Sequence, residues 1–156
     1  MYSLAHTVDS SAYFDSVNFN LGATYVNKFE VKTDSDSAKF DGAGSRNFSN
    51  QFRSMPKLRG NIAVTFEKGV HTLSTQLRYI DGYENDQSDT QIDSFMTLDG
   101  QYSMRLFQDR TRLSMGVKNL LDEAPPSLGE GVRPGYDNVI HNVLGRTVYV
   151  SLTQSF

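Results

Sequence analysis

The chain has 156 residues, a formal net charge of −3, 38% apolar residues, and neither Cys nor Trp. Without Cys there is no disulfide, zinc–thiolate site or cysteine nucleophile, and slight acidity with no basic cluster argues against nucleic acid as a partner. No run of about 18 apolar residues occurs, which excludes a membrane-spanning helix; the class has to come from pattern.

Residues 1–15 form a poorly defined N-terminal stretch, in which Tyr2, Leu4 and Val8 suggest the remnant of a strand ahead of Ser10-Ser11. Six segments then alternate with period two, each with the roughly 9 to 11 residues that cross a membrane as a tilted strand. In 16–31, Val17, Phe19, Leu21, Ala23, Tyr25 and Phe29 oppose Asn18, Asn20, Gly22, Thr24, Lys28 and Glu30. Segment 57–67 sets Ile62, Val64 and Phe66 against Asn61, Ala63 and Thr65, and 70–80 sets Leu73, Thr75, Leu77 and Tyr79 against Ser74, Gln76 and Arg78. Segment 94–106 sets Met96, Leu98, Tyr102, Met104 and Leu106 against Thr97, Asp99, Gln101, Ser103 and Arg105. Segment 110–118 sets Leu113, Met115 and Val117 against Arg112, Ser114 and Lys118. The last, 145–156, has Val148, Val150, Leu152 and Phe156 on one face and Thr147, Tyr149, Ser151, Thr153 and Ser155 on the other; Gln154 alone breaks the apolar row.

The connections alternate in length. Turns at 67–69 and 107–109 are short, whereas 32–56, 81–93 and 119–144 are long and rich in Gly, Asp, Ser and Asn. Antiparallel strands place alternate connections at opposite ends, and outer-membrane barrels carry short periplasmic turns and long extracellular loops. The pattern predicts an all-β fold, an antiparallel up-and-down transmembrane β-barrel segment of about six or seven strands. Tyr25, Phe29, Tyr79 and Tyr83 fall near the long-loop ends and Phe66, Tyr102, Phe107 and Phe156 near the short-turn ends, as two interfacial girdles do. Arg78, Asp99, Arg105, Arg112 and Lys118, with Glu30, share the face expected to line a lumen, where a cross-strand salt-bridge ladder is their simplest role.

The run Gly116-Val117-Lys118-Asn119-Leu120-Leu121-Asp122-Glu123-Ala124-Pro125-Pro126, a polar loop, and a last strand opening on Gly145-Arg146 and ending on Phe156 resemble the C-terminal end of a TonB-dependent outer-membrane receptor. The resemblance covers roughly residues 16–156 and is specific over the final forty. It implies that the whole chain, 1–156, is the C-terminal part of such a receptor's β-barrel, without the plug domain. It also implies energised uptake of a scarce nutrient such as a ferric siderophore, a cobalamin or an oligosaccharide, and a place in the outer membrane of a Gram-negative cell. The partners implied are outer-membrane lipid, the barrel-assembly machinery, the N-terminal plug and remaining strands of the same receptor, and the TonB complex. Val148, Val150, Leu152 and Phe156 match the C-terminal barrel-assembly signal, and 32–56, 81–93 and 119–144 are the expected ligand-facing loops. Receptors of this type close with about 22 strands, so this chain supplies under a third of the wall and its open edges need partners. Met1-Tyr2-Ser3-Leu4-Ala5-His6 lacks the basic start and apolar stretch of a signal peptide, so Met1 is expected to be an internal or artificial start of a fragment. The main rival is a soluble or surface-attached β-sheet module that binds a ligand or carbohydrate, with the apolar face as its core, and a second is a small adhesin-like or porin-like barrel assembled from several chains.

Local chemistry points away from an enzyme, a cofactor or a metal site. Asp34, Ser35, Asp36, Ser37 and Asp41, and Glu84, Asn85, Asp86 and Asp89, are oxygen-rich but lack calcium-loop spacing, so solvated acidic loops are expected. His6, His71 and His141 are scattered. There is no Gly-x-Ser-x-Gly elbow, and Gly42-Ala43-Gly44-Ser45 precedes no helical pattern. The 119–126 segment is expected to end the fifth strand, since prolines cannot extend a ladder.

Overall fold

The computed structural model describes residues 2–9, 13–32, 36–47, 54–85, 90–129 and 135–156. Among them there is no helix, and the strands in chain order are β1 (Tyr2–Asp9), β2 (Ser16–Tyr25), β3 (Glu30–Val31), β4 (Phe40–Asp41), β5 (Ser45–Arg46), β6 (Leu58–Lys68), β7 (His71–Ile80), β8 (Tyr83–Asn85), β9 (Thr90–Ile92), β10 (Phe95–Leu106), β11 (Thr111–Lys118) and β12 (Thr147–Gln154). The protein is therefore all-β. Seven of the strands make one antiparallel sheet in the order β1-β2-β6-β7-β10-β11-β12, an unbroken meander. Two small sheets, β3-β4 and β5-β8-β9, are built from the long connections.

Register carries each strand's alternation across the whole sheet. One row runs Val8, Val17, Phe66, Leu73, Tyr102, Met115, Val150, and another begins Leu4, Leu21, Ile62, Leu77, Leu98. A slip of one residue at any ladder would send that strand's apolar set to the other side, so the pattern fixes the register. On this apolar face the strands carry no Asp, Glu or Arg, and the one Lys, Lys68, lies beside the short β6–β7 turn. Gln154 also faces this way, and Thr111 Oγ1 donates to its Oε1 at 2.5 Å. The opposite row reads Thr7, Asn18, Thr65, Ser74, Gln101, Gly116, Tyr149.

Among the described residues no apolar core lies beneath the main sheet. Ile62 stays 45% exposed, Leu73 47%, and Val148, Val150 and Leu152 about 70%. An apolar surface of this extent on a folded chain marks an interaction face. The described buried apolar residues Tyr83, Ile92 and Leu128 instead cluster among the long connections, with Phe95 at the head of β10.

The main-sheet strands lie within a few residues of the periodic segments, with two differences. The stretch 1–15 contains a complete eight-residue strand, because β1 finds a full antiparallel ladder on β2; Ser10-Ser11 lie outside the described residues. Segment 16–31 divides: Val26 N donates to Lys57 O at 2.8 Å, the chain then leaves the sheet, and β3 pairs with β4. Glu30 consequently stands outside the main sheet, paired with Lys28 at 2.9 Å and Lys39 at 3.6 Å, and those ammonium groups hold its carboxyl below the usual range.

The short turns are tightly specified. Gly69 takes φ 54° in the β6–β7 turn, and its N–H donates to Asp15 Oδ2 at 2.6 Å. Phe107, Gln108 and Asp109 all adopt positive φ in the β10–β11 turn, a costly run for residues with a Cβ. Arg105 Nη2 donates to Gly69 O at 2.6 Å and links the two turns.

Candidate functional site

The three long connections meet at one end of the main sheet, above its polar face. Asp137 is their common point. Its Oδ2 accepts a short hydrogen bond from Ser54 Oγ and one of 3.0 Å from the Tyr83 hydroxyl, and lies 3.7 Å from Arg46 Nε. Its Oδ1 accepts Val139 N at 3.1 Å, an Asx turn that keeps the carboxylate aimed inward. One carboxylate, 2% exposed, therefore ties together residues from 32–56, 81–93 and 119–144. Arg46 reaches further, donating to Asn85 Oδ1 at 3.3 Å.

His141 completes the cluster. Its ring stacks on Tyr83 at 6.1 Å and meets Phe95 edge-on at 5.1 Å, with Nε2 3.1 Å from the Tyr83 hydroxyl. Tyr83 has one hydroxyl proton and gives it to the stronger acceptor, Asp137, so His141 Nε2 carries the proton and Nδ1 is bare. Nδ1 is buried with no hydrogen-bond partner among the described residues. Protonating it would strand an N–H away from any acceptor, and burial accordingly lowers the His141 pKa; Arg59 adds to this and Asp137 opposes it. Burial, followed by the charge of Asp137, pushes the Tyr83 phenol far up.

An unfolded His141 protonates near its ordinary value of 6.5 and the folded one at lower pH. Its stabilisation is complete above pH 6.5 and drains as the pH falls below it. Amide hydrogen exchange in β8 and β9, relative to the intrinsic rate at each pH, is expected to accelerate as the pH falls below 6.5, with no matching change in β7 or β10, and His141→Phe should flatten that dependence. Equal acceleration in all four strands would assign it to some other group.

Beside this cluster, between the sheet's polar face and the 119–144 connection, lies a cleft of about 620 Å³. Its charged members are Arg78, Asp99 and Lys118. Arg78 Nη1 donates to Asp99 Oδ2 at 2.8 Å and Nη2 to Gln76 Oε1 at 2.7 Å; Asp99 Oδ1 accepts Asn119 N at 2.9 Å. Lys118 Nζ stands 5.9 Å from the centre of the Tyr149 ring. Tyr149 is fixed from two sides. Its hydroxyl donates to Gln101 Oε1 at 2.7 Å, and its ring fills the space a Cβ on Gly116 would occupy, 2.5 Å away.

The five charges assigned to one face thus separate along it. Arg78, Asp99 and Lys118 join at the cleft, whereas Arg105 and Arg112, opposite each other in the ladder, lie near the short turns. Arg105 pairs with Asp109 at 3.6 Å. No continuous ladder of ion pairs forms among these residues; the cross-strand pair is Arg78 with Asp99. Val148, Val150 and Leu152 project from the apolar face of the edge strand, and Phe156 follows it fully exposed.

The segment from Asn119 acts as a clasp. Asn119 (φ 50°) and Asp122 (φ 58°) turn the chain off β11, so the ladder ends before the prolines are reached. Asn119 Nδ2 donates to Glu123 O at 2.8 Å while its Oδ1 accepts Glu123 N at 3.0 Å. Asp122 Oδ1 accepts Arg146 N at 2.7 Å, and Arg146 Nε donates to Leu120 O at 3.0 Å, fastening the start of β12 to the end of β11. A Cβ on Gly145 would come within 2.9 Å of Asp122 Oδ1, the oxygen that accepts Arg146 N, so a side chain there would displace that carboxylate.

Sequence reasoning placed Tyr83 at an interfacial rim, whereas it is 1% exposed inside the loop cluster. Arg46, Ser54 and Asp137 carried no signal of their own. Asp41 is occupied in local structure: Oδ1 accepts Phe29 N at 2.8 Å and Ala43 N at 3.0 Å, and these bonds hold its carboxyl below the usual range. Asp34, Ser35, Asp86 and Asp89 lie outside the described residues. Among those described, no group of three or more His, Asp or Glu side chains is placed to hold a metal ion. No protein-family model, curated protein or solved structure matches the chain.

Proposed function

We propose that this chain is the C-terminal part of the β-barrel of a TonB-dependent outer-membrane receptor, which takes up a scarce nutrient. The main sheet is then a section of barrel wall, its apolar face turned to lipid and its polar face to the lumen, with the clustered long connections on the outside of the cell. The observation that carries this reading is the apolar face itself, continuous over seven strands, free of Asp, Glu and Arg, and open to solvent. The Asn119–Asp122 clasp and the exposed aromatic terminus add to it, since both occupy the motif positions that resemble this family. In lipid the outer edges of β1 and β12 require pairing by further strands, because each unsatisfied backbone group there costs several kcal/mol or so.

Membrane partition tests the reading. The chain is expressed behind an export signal, outer membrane is separated from periplasm, and the native protein is compared with a Phe156 deletion. Recovery in the outer membrane that falls severalfold on deletion is the expected result. A stable periplasmic protein indifferent to Phe156 would sink it in favour of a soluble β module.

A further inference from the structure

We propose that the cleft over the polar face is a binding site for a small organic anion with a flat apolar body, such as an aromatic carboxylate, and that Lys118 is its counter-ion. The proposal deepens the reading of this end as the ligand-facing rim. Its volume, about 620 Å³, falls within the roughly 300–1,000 Å³ of small-molecule sites, and its lining combines apolar side chains with convergent polar and charged groups. Ile80, Phe95, Ile140 and Leu144 supply the apolar part.

Charge selects the anion. Both oxygens of Asp99 are engaged, one by Arg78 and the other by Asn119 N, so this carboxylate and this guanidinium satisfy each other. Lys118 is the remaining cation of the cleft, and among the described residues no carboxylate lies within ion-pair distance of it. Lys118 is exposed at the cleft, and its ammonium offers an anion a charge-assisted hydrogen bond stronger than a neutral one. Shape selects the flat body. The Tyr149 ring, locked by Gln101 and seated on Gly116, is a rigid platform next to Lys118, so a planar ligand meets an ordered surface without an entropy cost for fixing it.

The test uses the full chain in non-ionic detergent, with naphthalene-2-carboxylate as the probe and naphthalene-2-carboxamide as its neutral isostere. Binding is followed by saturation-transfer NMR and titration calorimetry, with empty micelles as the blank. The carboxylate is expected to bind saturably and about tenfold more tightly than the carboxamide. Lys118→Met should abolish that preference, and Lys118→Arg should retain it. Equal affinities for the two probes, no saturable binding of either, or a preference that survives Lys118→Met overturns the proposal. If Lys118→Met fails to fold, the isostere comparison on the native chain and on Lys118→Arg still decides. Outer-membrane recovery does not depend on Lys118, so failure here leaves the location of the protein a separate result.

Discussion

Asp137→Ala is expected to open the loop cluster while leaving the main sheet standing. The substitution removes the acceptor shared by Ser54 and Tyr83 and the carboxylate beside Arg46, in surroundings where each of these side chains is buried. Breaking a buried pair from one side costs about 3–5 kcal/mol, because the remaining charge and donors lose their compensation. That exceeds what two- and three-residue strands such as β5, β8 and β9 can hold on their own, so the loss appears locally. Hydrogen exchange in those three strands should rise by about two to nearly four orders of magnitude, at about 1.4 kcal/mol per tenfold, with β6, β7 and β10 within a few-fold of the native chain. Asp137→Asn keeps an acceptor but not the charge and should fall between the two. Uniform loss of protection throughout would mean that the cluster and the sheet are a single cooperative unit.

Arginine placed along β6 should separate a lipid-facing surface from a protein-facing one. If the apolar face meets a bilayer, Ile62→Arg, in the middle of the strand, costs roughly 2–4 kcal/mol, and Leu58→Arg and Phe66→Arg near its ends cost about 0–1 kcal/mol. Ala63→Arg, one residue along, enters the row of Asn20 and Gln76 and should be nearly neutral. The readout is urea-induced unfolding in liposomes, alongside the fraction recovered in the outer membrane. A penalty that peaks at Ile62 and vanishes at both ends is the expected profile. A flat profile along Leu58, Ile62 and Phe66 would point to a protein layer over this face and end the barrel reading.

Alternation made the main sheet legible. In β6, β7, β10 and β11 the periodic segments lie within a residue of the observed strands, since a face that must be uniformly apolar leaves little choice of residue at alternate positions. β1 was harder to read because His6 sits in its apolar row and Ala5 in its polar one, so ladder pairing with β2, not pattern, secures it. Strands of two or three residues, β3, β4, β5, β8 and β9, are shorter than any period that could announce them. Parity assigned Arg78 and Asp99 to one face, but their union is diagonal, Arg78 standing opposite Thr97 and Asp99 opposite Gln76, and no spacing rule within a strand reports that. The loop cluster was the least legible part. It joins residues 46, 54, 83, 137 and 141, and a hydrogen bond between Ser54 and Asp137 depends on where three separate hairpins deliver their ends.

The meander order of the main sheet makes the fold modular in pairs. Each strand is hydrogen-bonded only to its neighbours along the chain, and every long connection sits at the same end. Lifting out β6 and β7 together would bring the end of β2 to the start of β10 at that common end, with both strands already pointing in opposite directions. Inserting two strands would disturb direction no more. The unit by which such an architecture grows or shrinks over evolutionary time is therefore the hairpin, and each hairpin brings its own decoration to one end of the sheet, so sheet width and the chemistry of that end vary together in the same step.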